Sequence, residues 1–355
     1  MIKILIVDDS PTEVALLESI FHHEKDFSIV GVAKNGEEAV AKVQVLKPDI
    51  ITMDILMPVM NGLEATRAIM SRFPIPIVII SSAINNESMP ITFEALEAGA
   101  LAVLAKPIRD NDASYTKSRQ KIVDMVRSMA EIHVIKRRFF TKKQENKLIH
   151  KPSSTETKRS YEVIVIGSSV GGPQALKTIF TTLPYDFPLP IVVVQHMTRG
   201  FINGFATWLN NNINLTVKIA EDREVLKPGT IYFAQDSYHT EIKREQGKLV
   251  IKLKTGPSVS GFCPSVTVLF QSVARICGSA AIGIILTGMG NDGAQGLLEL
   301  KKAKAHTLIQ DPDSTVVFGM AGVAQSLGAV DKVIELDNMA SYLTRVVSSQ
   351  GGVKS

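Results

Sequence analysis

The first 110 residues alternate short apolar runs with stretches in which apolar residues recur every three or four positions. The runs are mostly Ile and Val, which is typical of strands buried on both faces of a parallel sheet. We predict five strands, at residues 2–7, 29–33, 49–53, 77–80 and 101–104. Strands that alternate with helices predict a doubly wound α/β domain, whose ligand site lies beyond the carboxyl ends of the strands.

A second alternating pattern begins at Tyr161 and predicts another doubly wound α/β domain. Its strands are predicted at residues 162–166, 189–194, 216–219, 230–233, 281–287 and 307–310. Between the two patterns, residues 115–140 predict a long helix, and residues 141–160 lose apolar periodicity and gain Lys, Ser and Thr. We therefore divide the chain into a domain over 1–125, a helix and basic flexible linker over 126–160, and a second domain over 161–350.

Charge is distributed unevenly along the chain. The net charge is +4, but residues 1–110 are acidic, residues 111–160 are strongly basic and the remainder is close to neutral. A basic stretch can bind nucleic acid or an acidic surface, although a solvated helix end and linker is the commoner interpretation. No helix-turn-helix pattern follows it and the second domain has no basic excess, so no nucleic-acid partner is expected.

The two cysteines, Cys263 and Cys277, cannot build a disulfide framework and favour a reducing compartment. Two acids near the start interrupt any apolar core of a signal peptide. The sequence contains no run of about 18 apolar residues that would indicate a membrane span. We therefore expect a cytoplasmic protein with no direct membrane insertion.

Polar residues follow successive strands of the first domain. Asp8 and Asp9 follow the first strand, Asp54 the third, Ser81 the fourth and Lys106 the fifth, so all five are expected at one edge of the sheet. A lone aspartate could cap a helix, but three crowded carboxylates repel one another unless a cation such as Mg²⁺ joins them. The set favours a Mg²⁺ site in which one carboxylate accepts a phosphoryl group.

The segments LIVDDS, MDILMPVMNGLEA and AKPI resemble the receiver domain of two-component response regulators, across residues 1–110. The resemblance implies a flavodoxin-like fold with a five-stranded parallel sheet. It implies that Asp54 is the phosphoacceptor and that Ser81 and Lys106 couple phosphorylation to conformation. The Mg²⁺ ligands that it implies are Asp8, Asp9, Asp54 and the backbone carbonyl of Leu56.

The segment GSSVGG, residues 167–172, follows the first strand of the second domain and precedes a helix. A serine on such a turn is exposed, and the helix N-terminus offers N–H donors to an oxyanion. The spacing also fits a damaged dinucleotide-binding fingerprint, but Ser169 would obstruct a pyrophosphate, and no acid closes the second strand. That strand ends instead in Gln195 and His196. His196 is therefore a candidate base, although a lone histidine is more often structural.

A third turn, TGMGNDG, follows the strongly apolar strand over residues 281–287. Its Asp292 could orient the imidazole of His196, or it could simply cap the next helix. Three unusual turns at three strand ends of one sheet favour a shared site. Scattered histidines without an H-E-x-x-H motif argue against zinc chemistry.

The segments IGSSVGG, VVVQHM, LTGMGNDGA and QDPDSTVVFGM together resemble the chemotaxis protein-glutamate methylesterase family, and the domain order matches as well. The resemblance implies that Ser169 is the nucleophile, His196 the general acid/base and Asp292 its orienting partner, with the backbone N–H of Met289 in the oxyanion hole. It implies methylated chemoreceptors as substrates, with glutamine deamidation at some receptor sites. It further implies a chemotaxis histidine kinase as phosphodonor and no cofactor for the esterase.

The chain departs from the family pattern at positions that we expect to form the substrate rim, which are Val170, Phe262, Cys263, Thr267 and Ala321. These departures keep open an alternative, a response regulator whose divergent or non-catalytic output acts on another partner. We also predict that the receiver represses the esterase and that phosphorylation of Asp54 relieves the repression.

Overall fold

The protein is described by a computed structural model that covers residues 1–82, 89–107, 112–132 and 160–348. The predicted linker over 141–160 lies outside the described residues except for residue 160. The same is true of the last part of the predicted long helix, residues 133–140.

The first domain is a parallel sheet with the strand order β2-β1-β3-β4-β5, which confirms the predicted receiver fold. Its strands are β1 (Ile2–Val7), β2 (Phe27–Ala33), β3 (Ile50–Met53), β4 (Ile77–Ser81) and β5 (Ala102–Ala105). Its helices are α1 (Pro11–His22), α2 (Gly36–Leu46), α3 (Gly62–Arg72), α4 (Met89–Ala98) and α5 (Asp112–Ala130). Helices cover both faces, so strands β1, β3 and β4 are almost wholly buried. Helix α5 crosses residue 125, where we placed the end of the domain.

The second domain is a seven-stranded parallel sheet with the order β14-β13-β12-β6-β7-β9-β8. Its strands are β6 (Val163–Ser168), β7 (Ile191–Gln195), β8 (Thr216–Ile219), β9 (Thr230–Phe233), β12 (Ala281–Ile285), β13 (His306–Gln310) and β14 (Lys332–Ile334). Its helices are α6 (Gly172–Thr182), α7 (Phe201–Asn210), α8 (Val266–Ile276), α9 (Ala294–Lys302), α10 (Met320–Ser326) and α11 (Leu336–Ser348). Two apolar cores, one on each face of the sheet, confirm the doubly wound arrangement.

An antiparallel hairpin, β10 (His239–Glu245) and β11 (Lys248–Lys254), interrupts the parallel pattern between β9 and α8. Its apolar residues Ile242, Leu249 and Ile251 pack into the same core as helix α8. The backbone N–H of Ile242 donates to Ser272 Oγ of that helix at 2.9 Å. The hairpin thus places His239, its first residue, beside the N-terminus of α8.

The two domains pack against each other through helices α4 and α5. The ring of Phe93 on α4 lies among the core residues of the second domain and is 5.5 Å from the ring of Trp208. The Nζ atom of Lys177 on α6 is 2.6 Å from Glu97 Oε1 on α4. Val170 of the second domain packs against the core that contains the apolar face of α5. The first domain therefore covers part of the carboxyl edge of the second sheet.

Both cysteines are free thiols. Among the helices of the described ranges, none has the length and apolar character needed to cross a bilayer.

Candidate functional site

The acidic site of the first domain lies at the carboxyl edge of its sheet. Asp8 and Asp54 are buried and Asp9 is exposed, and one carboxylate oxygen from each lies within 4.8 Å of the others. Lys106 Nζ is 2.7 Å from Asp8 Oδ2 and 3.6 Å from Asp54 Oδ2. Ser81 is buried at the end of β4. The structure thus brings the five sequence-predicted residues to the same edge of the sheet.

Electrostatics at this edge leave an excess of negative charge. Burial raises the pKa of Asp8 above its ordinary value, although Lys106 and the Ser10 N–H oppose it. Burial alone would lower the pKa of Lys106, but its contacts with Asp8 and Asp54 raise it on balance. Asp54 Oδ1 is buried and makes no hydrogen bond to any described residue. One ammonium group against three carboxylates, together with this unpaired oxygen, fits a divalent cation held by oxygen ligands.

The turn that follows Asp54 is closely packed. A Cβ atom at Gly62 would lie 1.9 Å from the carbonyl oxygen of Asp54, so only glycine fits at the start of helix α3. Asn61 caps the helix and its side chain accepts a hydrogen bond from the Glu64 N–H at 2.9 Å. Leu56 is exposed in the loop between Asp54 and this cap.

Ser169 lies on the turn between strand β6 and helix α6 as predicted, but the predicted exposure is wrong, because the residue is about nine-tenths buried. Its N–H donates to the carbonyl of Thr287 at 3.0 Å, and its own carbonyl accepts from the Gly172 N–H at 2.9 Å. A Cβ atom at Gly288 would lie 2.8 Å from Ser169 Cβ. The glycine after Thr287 is therefore required for the close approach of this loop to the serine.

Gln195, at the end of strand β7, joins the serine turn to His196. Its Nε2 donates to the carbonyl of Ser169 at 2.8 Å and to that of His196 at 2.7 Å. Its Oε1 accepts from Ser168 Oγ at 2.6 Å. Sequence analysis noted Gln195 without giving it a role, although a buried glutamine that ends an otherwise apolar strand is a usable signal.

His196 and Asp292 form a close pair at the carboxyl edge of the sheet, after strands β7 and β12 on either side of β6. His196 Nε2 lies 2.9 Å from Asp292 Oδ2, at the distance of an ion pair, although the ring is not aligned on that oxygen as in a hydrogen bond. His196 Nδ1 is buried and makes no hydrogen bond to the described part of the chain. That nitrogen is the one left to exchange a proton within the cleft.

Asp292 is fully buried against the start of helix α8. Its Oδ1 accepts from Ser265 Oγ at 2.7 Å and from the Thr267 N–H at 3.1 Å, and its Oδ2 accepts from the Val266 N–H at 2.7 Å. Burial alone would raise the pKa of Asp292, but these donors and His196 outweigh it and lower the pKa. The alternative interpretation, in which Asp292 only caps the next helix, is wrong, because the N-cap of helix α9 is Gly293.

Three backbone N–H groups near Ser169 are available for an oxyanion. Those of Val170, Gly171 and Met289 donate no hydrogen bond to any residue in the described ranges. Gly171 and Gly172 begin helix α6, whose N-terminus carries partial positive charge. The helix start and the loop after β12 therefore both offer donors where the sequence predicted them.

Ser169, His196 and Met289 line a cleft of about 1350 Å³, and residues of the first domain, including Val103 and Met125, line part of the same cleft. Of the positions predicted to form a substrate rim, three line this cleft, namely Val170, Phe262 and Cys263.

The rim prediction is wrong for Thr267 and Ala321, which are both buried. The Thr267 hydroxyl accepts from the Gly293 N–H at 2.8 Å and helps to fix the loop that carries Asp292. Ala321 is 0% exposed because its side of helix α10 packs against the core of the second domain.

The fold and these two sites define a response regulator with an enzymatic output domain of the hydrolase class. Residues 4–114 match the response regulator receiver domain, and residues 164–343 match the CheB methylesterase family. The chain belongs to the CheB methylesterase family.

Relatives match along nearly the whole chain. Protein-glutamate methylesterase/protein-glutamine glutaminase 2 of Methanospirillum hungatei is 44% identical over 335 residues, which is 93% of each chain. A protein-glutamate methylesterase/protein-glutamine glutaminase of Nitrosospira multiformis is 40% identical over 100% of this chain and 99% of the relative. The crystal structure of the Thermotoga maritima CheB methylesterase catalytic domain is 38% identical, with a TM-score of 0.52, and covers 53% of this chain and 100% of that one.

Proposed function

We propose that this chain is a phosphorylation-controlled protein-glutamate methylesterase that acts on methylated chemoreceptors in chemotaxis adaptation. The observation that carries the proposal is the His196–Asp292 pair, 2.9 Å apart, in which His196 lines the same cleft as Ser169. The names of the two relatives support the reaction, and they also support deamidation of receptor glutamines.

In the acylation step, Ser169 Oγ attacks the carbonyl carbon of the glutamyl ester and passes its proton to His196 Nδ1. The N–H groups at the start of α6 and of Met289 donate to the negative oxygen of the tetrahedral intermediate. The intermediate collapses when the bond to methoxide breaks and His196 returns the proton to it. Methanol leaves, and the glutamyl group remains as an ester on Ser169.

In the deacylation step, His196 takes a proton from a water molecule whose oxygen attacks the acyl carbon. The bond to Ser169 breaks, and His196 returns the proton to the serine oxygen. Asp292 stays ionised throughout, because helix α8 and Ser265 supply it with hydrogen bonds. It orients the ring and stabilises the imidazolium that forms in both steps. The acylation and deacylation steps, as proposed, use no cofactor in the esterase domain.

The receiver site supplies control. Asp54 is the phosphoacceptor, and Asp8, Asp9, Asp54 and the carbonyl of Leu56 are the groups that hold Mg²⁺. A Mg²⁺ ion held there would supply positive charge that offsets the carboxylates and the phosphoryl oxygens. Lys106 and Ser81 then contact the phosphoryl oxygens and transmit the change. A chemotaxis histidine kinase donates the phosphoryl group in the cytoplasm.

The unphosphorylated receiver represses the esterase by covering its cleft. Support comes from the shared lining of the cleft, to which Val103 and Met125 of the receiver contribute together with Ser169. Phosphorylation shifts the equilibrium between the covered and uncovered states only as far as it stabilises the uncovered state more than the covered one. A difference of ~1.4 kcal/mol changes the ratio of the two populations tenfold.

The deciding experiment measures methanol release from membranes that carry methylated receptors, with and without a small phosphodonor and Mg²⁺. Native protein should release methanol faster with the phosphodonor. Ser169→Ala should lose activity by roughly three orders of magnitude or more, since the covalent step is gone. The matched control is Ser168→Ala, which removes the neighbouring hydroxyl and one hydrogen bond, and should cost about tenfold at most.

An outcome in which native protein binds receptors but releases no methanol would favour the alternative, a non-catalytic output. A Ser169→Ala variant that retains most of its turnover would move the nucleophile elsewhere.

A further inference from the structure

The imidazole of His196 is covered on one face by the ring of Phe262. The two ring centroids are 3.7 Å apart and the ring planes differ by 4°. A positively charged group is attracted to the face of a phenyl ring. The phenyl ring of Phe262 therefore lies where it can stabilise the imidazolium that forms when His196 accepts a proton.

We propose that Phe262 is a positioning residue for ester hydrolysis, which holds the imidazole plane of His196 toward Asp292 and favours the imidazolium form. The proposal rests on the proposed function, in which His196 becomes imidazolium each time it accepts the proton of Ser169. A ring that stabilises the imidazolium more than the neutral imidazole lowers the barrier of both proton transfers. It leaves the affinity for the ester largely unchanged.

The position of Phe262 is fixed by a tight turn. The N–H of Phe262 donates to the carbonyl of Val259, and the N–H of Val259 donates to the carbonyl of Phe262, both at 3.0 Å. The two residues between them, Ser260 and Gly261, have φ angles of 54° and 84°. Positive φ at both central positions is the conformation of a type I′ hairpin turn, which is short and has little freedom.

The segment that carries this turn, residues 257–265, is held at both ends by buried His239. His239 Nε2 is 2.9 Å from the carbonyl oxygen of Pro257, and Nδ1 accepts from the Ser265 N–H at 3.3 Å. Ser265 Oγ in turn donates to Asp292 Oδ1 at 2.7 Å. The segment 257–265 therefore positions both groups that contact the imidazole of His196. These are the carboxylate of Asp292 at the ring edge and the phenyl ring of Phe262 over the ring face.

Other charged or titratable groups surround the imidazole. Asp292 is 2.9 Å from the ring. The remaining groups that line the cleft are Arg199, Asp236 and Cys263 of the esterase and Lys117, Lys121 and Asp124 of the receiver. All of them stay in place in the variants below, so a change in the pKa of His196 reports the loss of the phenyl ring.

The test measures the ring pKa of His196 by NMR in the full chain with ring-labelled histidine. The spectrum of His196→Gln identifies its signals among the seven histidines. In Phe262→Leu we expect the pKa to fall by about half a unit to one unit, and in Phe262→Tyr, which keeps the ring face, to return to the native value. Phe201→Leu makes the same change elsewhere on the cleft and should leave the pKa of His196 as it is in native protein.

The kinetic readout is methanol release under the same phosphodonor conditions for every variant. Phe262→Leu should lower kcat about 3- to 10-fold with little change in KM, and Phe262→Tyr should restore kcat. Phe262 is only partly buried, so the leucine variant is expected to fold, which thermal unfolding checks. Phe262→Met is a second variant without a ring, in case leucine disturbs the turn.

Native pKa values in both ringless variants would overturn the proposal. Equal falls in the leucine and tyrosine variants would overturn it as well, because side-chain shape rather than the ring face would then be responsible. If native protein hydrolyses no ester, the proposed function fails, but the NMR titration still decides whether the ring stabilises the imidazolium.

Discussion

The ring of Phe93 on receiver helix α4 lies 5.3 Å from the ring of Phe205 on esterase helix α7. Phe93 is 1% exposed, and its ring belongs to an apolar core built mainly from the esterase domain. Burial of this large apolar side chain stabilises the docked position of the receiver, because the ring is removed from water when the domains pack together. Substitution of this aromatic contact can therefore destabilise the covered state without changing a residue of the acidic site or of the Ser169 site.

Phe93→Ala should raise the methanol-release rate of the unphosphorylated chain by about tenfold or until it reaches the phosphorylated rate. The reason is that loss of a buried phenyl ring costs ~3–5 kcal/mol, part of which falls on the docked state alone. Glu97→Gln breaks only the half-exposed ion pair with Lys177 and should raise the rate about twofold. A folded Phe93→Ala variant with an unchanged basal rate would show that this contact does not hold the receiver in place.

Residues 160–355 alone should be at least as active as the unphosphorylated full chain and insensitive to a phosphodonor. Removal of the receiver takes away part of the lining of the cleft that contains Ser169. Methanol release by equal amounts of the two proteins checks this, with circular dichroism to verify folding. A well-folded fragment that is slower than the unphosphorylated chain would mean that the receiver is more than a cover.

Val170→Thr should be tolerated and should raise basal activity of the full chain modestly, by about two- to fivefold. Val170 packs against the apolar core of the receiver, and a hydroxyl there must be desolvated when the domains dock. The isolated esterase should show no such gain. Val316→Thr, at a neighbouring contact with the same core, is the matched control and should behave alike. A severe loss in Val170→Thr would indicate a serine turn that depends on valine.

Asp292→Asn should lower both turnover and the free energy of unfolding, the latter by ~1–3 kcal/mol. An amide NH₂ cannot accept from donors that the carboxylate now satisfies, namely Ser265 Oγ and the Val266 and Thr267 N–H groups. His196→Gln should reduce turnover without this loss of stability. Denaturant unfolding of both variants separates the two effects.

The stability contributed by Asp292 depends on pH. Its pKa is below the ordinary 3.8 in the folded protein, so its contribution is present above that pH and is lost as the pH falls through the lowered value. The difference in unfolding free energy between native protein and Asp292→Asn should therefore be constant near neutral pH and shrink in acid. A difference that grows in acid would contradict the assignment of a stabilised carboxylate.

Asp54→Asn should keep basal methanol release but lose its stimulation by a phosphodonor with Mg²⁺. In native protein, Mg²⁺ at a hundredfold excess over its Kd should raise the unfolding free energy by about 2.7 kcal/mol, because Asp8, Asp9 and Asp54 are brought together to bind it only in the folded state. Asp8→Asn should weaken that Mg²⁺ effect on thermal unfolding. Undiminished stimulation of Asp54→Asn would place the phosphoacceptor elsewhere.

Sequence periodicity predicted most of the parallel strands because their apolar runs are buried, as in β3, β4, β7 and β12. It missed the short edge strand β14, which is largely exposed. The predicted bounds of residues 2–7, 216–219 and 230–233 coincide with β1, β8 and β9. The hairpin β10–β11 was not predicted, since its residues mix charge and apolar character along a ribbon that packs on one helix.

The candidate functional residues that sequence reasoning found lie at the carboxyl ends of strands or in the loops that follow them, where the sheet topology brings them together. The interactions that it missed join residues whose proximity depends on tertiary packing. Gln195 bridges two turns, Thr267 supports Asp292 from inside the protein, and Phe262 reaches His196 from a type I′ turn far along the chain. No local pattern encodes such contacts, because each depends on where a distant segment is placed.

The cleft shared by the two domains has a thermodynamic consequence for signalling. Under the proposed function, a receptor segment that enters it competes with Val103 and Met125 of the receiver for one surface. Linkage then requires that the two binding equilibria influence each other equally. A crowded array of methylated receptors would hold the domains apart and thereby favour phosphorylation of Asp54. The substrate would act as an input to the switch as well as its target.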